Sequence, residues 1–214
     1  MAELRFEDRV DAGRRLAALL RPLAEEDVVV LGIPQGGVQV AAIVAVFLAT
    51  PLDILVVQEL VAPELDGGAA TVVGALAEDA VVVDDQALTE MRMRQADLDE
   101  LRLREEPVLA ERVATLRRKR PRLPVSGSTV LIVADGFSTA VTLRAACVSA
   151  RQRGATRVLV AVPVAPGDLA DLLPEADEVF CLLEPEAFGA TADYYDDFTP
   201  ITDDLIVRLI AQSR

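Results

Sequence analysis

The chain has no histidine and no tryptophan, and Lys119 is its only lysine. The absence of histidine excludes catalytic sites built on a Ser-His-Asp triad or a Cys-His pair, and it excludes histidine-ligated metals. The two cysteines, Cys147 and Cys181, match no metal-binding or redox spacing, so we assign both to the core. Any catalysis must therefore use carboxylates, arginines, hydroxyl groups, backbone amides or a bound metal.

Long apolar runs are missing as well. The longest, Val38–Thr50, contains Gln39 and is too short to span a bilayer. The charged N-terminus MAELRFEDRV lacks the apolar core of a signal peptide. The net charge of −14 disfavours nucleic acid, whose binding depends on Lys and Arg neutralising phosphates. We therefore expect a cytoplasmic protein that binds neither membranes nor nucleic acid.

What the sequence does contain is a regular alternation of apolar strands and helices. With 214 residues and 52% hydrophobic content, one α/β domain can bury a full core. Continuous apolar strands that alternate with helices predict a parallel sheet covered on both faces, a doubly wound α/β fold. The predicted strands cover residues 27–33, 52–60, 129–135, 156–164 and 177–184. Amphipathic residues 5–23 predict an opening helix, and Thr202 or Asp203 caps a closing one.

We expect residues 1–214 to form a single domain, with residues 85–127 as a helical excursion and linker within it. Pro63 and Gly67-Gly68 predict a mobile loop followed by a strand. The charged segment 86–120 is mostly helical, and Pro107 predicts a break or a new first turn in it. This helix is expected to be a solvated face or the contact of a homodimer.

The stretch ADGFSTAVT, residues 134–142, joins a predicted strand to a predicted helix. Its backbone amides and its Ser138, Thr139 and Thr142 hydroxyls meet at a helix N-terminus, an arrangement that binds a phosphate monoester. Asp135 precedes them and could accept hydrogen bonds from a sugar. The alternative interpretation is an ordinary strand-to-helix turn capped by Ser or Thr.

A second loop, GIPQGGVQVA at residues 32–41, also follows a strand. Gly36-Gly37 would allow the backbone to approach an anion closely. The alternative is a tight turn without a ligand. In open α/β sheets, ligands bind beyond the carboxyl ends of the strands, where both loops are expected to lie.

The last candidate feature is aromatic. The chain has six phenylalanines and two tyrosines, and Phe188, Tyr194, Tyr195 and Phe198 fall close together. Tyr194 and Tyr195 could stack a nucleobase beside a sugar-phosphate site. Alternatively, the aromatic rings only pin the C-terminal segment onto the sheet.

Five blocks of the sequence together resemble the type I phosphoribosyltransferase family. The block VLIVADGFSTAVTLRAA is similar to the family's signature loop, and VVVLGIPQGGVQVA to its pyrophosphate loop. The segment FEDRVDAGRRLAALL looks like its opening helix, PLDILVVQELVAPE like the next strand and its exit, and EPEAFGATADYYDDFTPITDD like its closing segment. The order and spacing of these blocks are more specific than any one of them, and they imply the family's parallel-sheet fold.

The resemblance implies a reaction and a set of roles. Such enzymes use phosphoribosyl pyrophosphate with Mg²⁺ and replace pyrophosphate by a nitrogen nucleophile at C1 of the sugar. Asp135 would contact the ribose hydroxyls. Backbone amides of Gln35, Gly36 and Gly37 would bind pyrophosphate, often through a non-proline cis peptide. The 5′-phosphate would lie on a loop made of Gly136, Phe137, Ser138, Thr139, Ala140, Val141 and Thr142.

The sequence departs from the family where the charges of the reaction would lie. Ala134 replaces an acidic residue, Gln35 replaces a basic one, and Gln58-Glu59 replaces an Arg-Lys pair. Ala140 replaces a glycine, and its methyl group would crowd an oxygen if the backbone needed a positive φ. Two functions therefore remain open: a phosphoribosyltransferase of weak or lost activity, and a non-catalytic phosphate- or nucleotide-binding protein on the same fold.

Overall fold

The structure is a computed structural model that describes residues 5–63, 70–118 and 120–213. Its strands are β1 (Val28–Gly32), β2 (Leu52–Ile54), β3 (Val57–Ala62), β4 (Thr71–Ala77), β5 (Ala80–Val83), β6 (Thr129–Val133), β7 (Arg157–Val164) and β8 (Glu178–Leu183). Its α-helices are α1 (Arg9–Leu19), α2 (Gly37–Leu48), α3 (Asp85–Glu90), α4 (Gln95–Arg117), α5 (Ala140–Gln152), α6 (Leu169–Leu172) and α7 (Asp203–Gln212). The predicted Gly67-Gly68 loop lies outside the described residues.

The main sheet is parallel, with five strands in the order β2-β1-β6-β7-β8. Strands β1 and β6 are neighbours in register from Val28 opposite Thr129 to Gly32 opposite Val133. These two strands therefore end at the same level, and the loops that follow them emerge side by side. The predicted α/β fold with a parallel sheet and helices on both faces is confirmed.

A second sheet is antiparallel and has the order β3-β4-β5. The single strand predicted for residues 52–60 is wrong, because the chain leaves the main sheet after β2 and starts the second sheet at β3. Leu55 and Val56, which connect the two, are 0% and 2% exposed. The apolar run continues through this crossing, so the sequence pattern could not reveal the change of sheet.

Helix α4 runs without interruption through Pro107, and the predicted break or new first turn is wrong. A proline inside a helix removes one backbone hydrogen bond and strains the preceding turn. Here buried leucines on both sides of Pro107 attach the helix to the protein: Leu101, Leu109 and Leu116 are 4%, 7% and 1% exposed. Tertiary packing thus outweighs the local preference of the proline.

The core lies on both faces of the main sheet. Helices α1 and α2 cover one face around Leu16, Val44 and Leu131, and α5 covers the other together with the small sheet. Burial raises the pKa of Cys147 to about 12 and that of Cys181 to about 11, so both thiols stay protonated at neutral pH. Among the described helices, none combines the length and the apolar character needed to cross a membrane.

Candidate functional site

A cleft of about 620 Å³ opens at the carboxyl ends of β1 and β6, where ligands bind in open α/β sheets. Its floor is made by the loops that follow these strands. One wall comes from β3, and the other comes from the C-terminal segment around Phe198 and Ile201. The two loops that the sequence analysis identified as candidate binding loops therefore meet in one cleft.

The loop after β6 ends at Thr139, which caps α5 with its side chain and accepts a hydrogen bond from the Thr142 amide at 3.4 Å. The Phe137 amide donates to the Val164 carbonyl oxygen at 3.0 Å. Within the described part of the chain, the other amides of the loop have no hydrogen-bond partner; they belong to Gly136, Ser138, Thr139, Ala140 and Val141. The loop thus presents unpaired donors at a helix N-terminus, as an anion site requires.

The shape of this loop is held by the C-terminal segment. Thr191 donates a hydrogen bond from its hydroxyl to the Phe137 carbonyl oxygen at 2.7 Å. A Cβ on Gly136 would lie 2.2 Å from the Thr191 Cγ2, so only glycine allows this close approach. Ala140 is the first residue of α5 and does not have a positive φ, so its methyl group does not strain the loop.

The loop after β1 has the peptide bond between Pro34 and Gln35 in the cis form, as the family resemblance implied. The amides of Gln35, Gly36 and Gly37 have no hydrogen-bond partner among the described residues. The Gln35 side chain is exposed. This loop keeps its backbone donors and carries no cation of its own.

Arg9 is a site residue that the sequence analysis missed. Its Nε donates to Asp135 Oδ2 at 2.8 Å, and its Nη1 donates to the Thr199 carbonyl oxygen at 2.9 Å. The guanidinium lies 3.8 Å from the centroid of the Phe198 ring, and the residue is only 6% exposed. A Cβ on Gly36 would lie 1.9 Å from the same Asp135 oxygen. Arg9 lies in the segment FEDRVDAGRR, which the sequence analysis recognised as the opening helix. No residue spacing in that segment indicates that the Arg9 side chain reaches the cleft.

Asp135 is positioned from two sides. Besides its ion pair with Arg9, its carbonyl oxygen accepts a hydrogen bond from the Tyr195 hydroxyl at 2.6 Å. Burial, and then the nearby Asp135 charge, raise the pKa of Tyr195, so this hydroxyl remains a donor. The other carboxylate oxygen, Oδ1, has no hydrogen-bond partner among the described residues and could accept from a ligand.

Gln58 and Glu59, neighbours in β3, point in different directions. Gln58 donates through its side-chain nitrogen to Glu105 at 3.1 Å, on the side of α4. The Glu59 carboxylate instead accepts hydrogen bonds from the hydroxyls of Thr142 at 2.8 Å and Thr139 at 3.2 Å. Of the described side chains that line the cleft, Arg9 is cationic whereas Asp135 and Glu59 are anionic. The formal charges of the described lining therefore sum to −1.

Tyr194 and Tyr195 do not line the cleft. They are 8% and 3% exposed and belong to a core cluster with Phe6. The Tyr195 ring packs between Phe6 and Phe198, at centroid distances of 5.2 and 4.9 Å. Because both side chains are buried and neither lines the cleft, we do not retain the stacking role and favour the alternative that they pin the C-terminal segment. The aromatic rings that do line the cleft are Phe137 and Phe198.

The described side chains of the cleft offer few ligands for Mg²⁺. Mg²⁺ is usually held by one or two carboxylates together with substrate phosphates. Ala134 provides no ligand, and one oxygen of Asp135 is already paired with Arg9. No cluster of three or more acidic, cysteine or histidine side chains that could hold a metal occurs in the described ranges. These residues do not fit a Mg²⁺ site held by the protein itself.

The comparisons with known proteins agree with this geometry. The family model described as the phosphoribosyl transferase domain matches residues 5–199. Two curated proteins from strains CDC 1551 and H37Rv of Mycobacterium tuberculosis, each named "Putative phosphoribosyl transferase", are 41% identical over 96% of this chain. The match covers 46% of each of them, so the chain spans about half the length of these relatives.

A solved structure is similar over its whole length. The crystal structure of TT1426 from Thermus thermophilus has 37% sequence identity to this chain and a TM-score of 0.81. The similarity covers 98% of this chain and 99% of that one.

Proposed function

Because the chain belongs to the phosphoribosyl transferase domain family, we propose that its cleft binds a sugar phosphate or a nucleoside monophosphate, and that phosphoribosyl transfer is weak or lost. The observation that carries this proposal is the charge inventory of the cleft. Arg9 is the one cation among the described residues lining it, and Asp135 already pairs with that cation. A ligand with several negative charges would meet a cleft whose net charge is also negative.

The loop after β6 supplies the phosphate half of the proposed site. The five unpaired amides between Gly136 and Val141 would donate to phosphate oxygens, and the exposed Ser138 hydroxyl could add another donor. Asp135 would accept hydrogen bonds from the ribose hydroxyls with its free Oδ1, while Arg9 holds its Oδ2. These contacts together favour a ribose that carries a single 5′-phosphate.

The pyrophosphate half of the proposed site is weaker. Transfer would break the bond between C1 and the pyrophosphate oxygen while a bond from C1 to nitrogen forms, so negative charge on the leaving group must be stabilised. The amides of Gln35, Gly36 and Gly37 remain for this task, but the side chains add no cation. Each charge-assisted hydrogen bond that is missing is worth about 1.5–3 kcal/mol, enough to lower a rate by decades when several are absent.

Calorimetric titration of the purified chain tests the proposal. We expect ribose 5-phosphate or a nucleoside monophosphate to bind more tightly than phosphoribosyl pyrophosphate, with little dependence on Mg²⁺. Tight, Mg²⁺-dependent binding of phosphoribosyl pyrophosphate would contradict the proposal, as would release of pyrophosphate with any purine or pyrimidine base.

The second candidate function is a working phosphoribosyltransferase with an unidentified nitrogenous acceptor. The family match and the names of the Mycobacterium tuberculosis relatives favour it. The glycines and the unpaired amides of the loop after β1, which suit a pyrophosphate backbone site, favour it as well. The same titrations separate the two candidates, because they predict opposite orders of affinity.

A further inference from the structure

Glu59 is an acidic residue that sits against the phosphate loop. Its Oε1 accepts hydrogen bonds from both Thr142 Oγ1 at 2.8 Å and Thr139 Oγ1 at 3.2 Å. The two hydroxyls are also 2.8 Å from each other. The two threonine hydroxyls nearest the start of α5 therefore already share one acceptor, and that acceptor is a carboxylate.

The position of Glu59 in its strand explains why it faces the loop. Successive side chains of a strand point to opposite faces, so Gln58 and Glu59 of β3 cannot both face α4. Gln58 faces α4 and bonds Glu105, which leaves Glu59 directed towards the start of α5. An anion is stabilised there by the unpaired amides and the helix dipole. The placement thus follows from the strand and does not depend on a cation.

Glu59 has no cationic partner among the described residues. No described arginine lies within ion-pair distance of it, whereas Asp135 is paired with Arg9. Glu59 is therefore the carboxylate of the described cleft lining that is held by hydroxyl groups alone and not by a cation. It occupies hydroxyls that a phosphate oxygen would use, and it repels any phosphate that binds to the adjacent amides.

We infer that Glu59 is a specificity-determining residue of this cleft, an internal anion that competes with the phosphate of a ligand for Thr139 and Thr142. The inference rests on the proposed function, because it requires that the loop binds a phosphate at all. It adds that the affinity for that phosphate is held down by one carboxylate, which limits the negative charge a ligand can bring into the cleft.

The test compares two substitutions at Glu59 that separate its charge from its hydrogen bonds. Glu59→Gln keeps an oxygen that can accept from the threonines but removes the charge, and Glu59→Ala removes both. Glu25→Gln is the matched control. It makes the same charge change on an exposed residue that precedes β1, near the amino ends of the strands and away from the cleft. Each variant is titrated with ribose 5-phosphate and with ribose, while NMR follows the amide signals of the loop and of the rest of the fold.

We expect Glu59→Gln and Glu59→Ala to bind ribose 5-phosphate about tenfold more tightly than the wild type, because a like charge beside the phosphate is removed. Ribose should bind all four proteins equally, and Glu25→Gln should behave as the wild type with both ligands. An unchanged affinity of Glu59→Gln for ribose 5-phosphate, or a loss of affinity in Glu59→Ala, would overturn the inference and make Glu59 an anchor of the loop.

Failure of the proposed function gives a different result. If ribose 5-phosphate shifts no loop amide in the wild type or in either Glu59 variant, while the spectra show an intact fold, the loop is not a phosphate site. That outcome overturns the proposed function and the inference together. Binding to the wild type without a gain in Glu59→Gln overturns the inference alone.

Discussion

The two loops of the cleft differ in what their side chains contribute. The loop after β1 retains its glycines, its cis peptide and three unpaired amides, but its side chains contribute no charge. The loop after β6 retains its amides and its hydroxyls, but a carboxylate now shares those hydroxyls. Both loops therefore present unpaired backbone amides, whereas neither adds a cationic side chain to the cleft.

The difference has a physical reason. The backbone of each loop is fixed by close packing: a Cβ at Gly36 would overlap the Asp135 carboxylate, and a Cβ at Gly136 would overlap Thr191. Side chains such as Gln35, which is exposed, can change without disturbing that packing. The packing that fixes the shape of the cleft therefore does not fix the charges of its side chains, and the shape alone does not establish the reaction.

The largest effect is expected from changing the shape itself. In Gly36→Ala the new methyl group would lie 1.9 Å from Asp135 Oδ2 and 2.2 Å from Arg9 Nε, so it must separate their ion pair. We expect about 1–3 kcal/mol lower stability and loss of ligand binding at both loops. Thermal unfolding and calorimetry measure these effects.

Gly167→Ala is the control for this change. There the new Cβ would lie 3.9 Å from Glu184, an ordinary contact, so stability and binding should be unchanged. If Gly36→Ala binds ribose 5-phosphate as the wild type does, packing against the Arg9–Asp135 pair does not fix the loop.

The second-largest effect is expected from adding charged side chains at Ala134 and Gln35. The double substitution Ala134→Asp with Gln35→Arg adds one carboxylate beside Asp135 and one cation in the loop after β1. A charge-assisted hydrogen bond to pyrophosphate is worth about 1.5–3 kcal/mol, so phosphoribosyl pyrophosphate with Mg²⁺ should bind about thirtyfold more tightly. Ribose 5-phosphate should gain little. An unchanged affinity for phosphoribosyl pyrophosphate in a folded double variant would mean that these groups do not limit the site.

A smaller effect is expected from removing the proposed contact between Asp135 and the sugar. Asp135→Ala should weaken ribose 5-phosphate about tenfold, because it loses the acceptor for the ribose hydroxyls. Inorganic phosphate should be weakened less, since Arg9, 6% exposed, would lose its partner and could attract the anion instead. Parallel titrations with the two ligands measure this difference. Equal weakening of both would show that Asp135 does not contact the sugar.

The sequence predicted the order of the main elements and the place of the cleft, because apolar strands, loop glycines and capping threonines act locally. It did not predict contacts between distant segments. Arg9 and Asp135 lie 126 positions apart, and Glu59 and Thr142 lie 83 apart. The pairing of these side chains depends on how the loops pack, which no local pattern contains. The sequence left two roles open for Tyr194 and Tyr195 for the same reason, since Phe6, which belongs to the same core cluster, lies at the other end of the chain.

The smallest effect is expected at Thr139, whose hydroxyl makes two observed contacts and one proposed contact. It caps α5 by accepting from the Thr142 amide, donates to Glu59, and is a candidate donor to the ligand phosphate. Thr139→Val removes the hydroxyl at nearly constant volume, and loss of a helix cap typically costs about 1 kcal/mol.

Because we propose that this hydroxyl contacts the phosphate and not the sugar, binding of ribose 5-phosphate and of inorganic phosphate should be weakened by the same factor, about fivefold. Thr156→Val is the control. It makes the same change next to the amino end of β7, whereas the cleft lies at the carboxyl ends of the strands. Unequal weakening of the two ligands would mean that Thr139 contacts the sugar. A gain in affinity would mean that its hydroxyl serves chiefly to hold Glu59 in the loop, since releasing that carboxylate would then outweigh the lost donor.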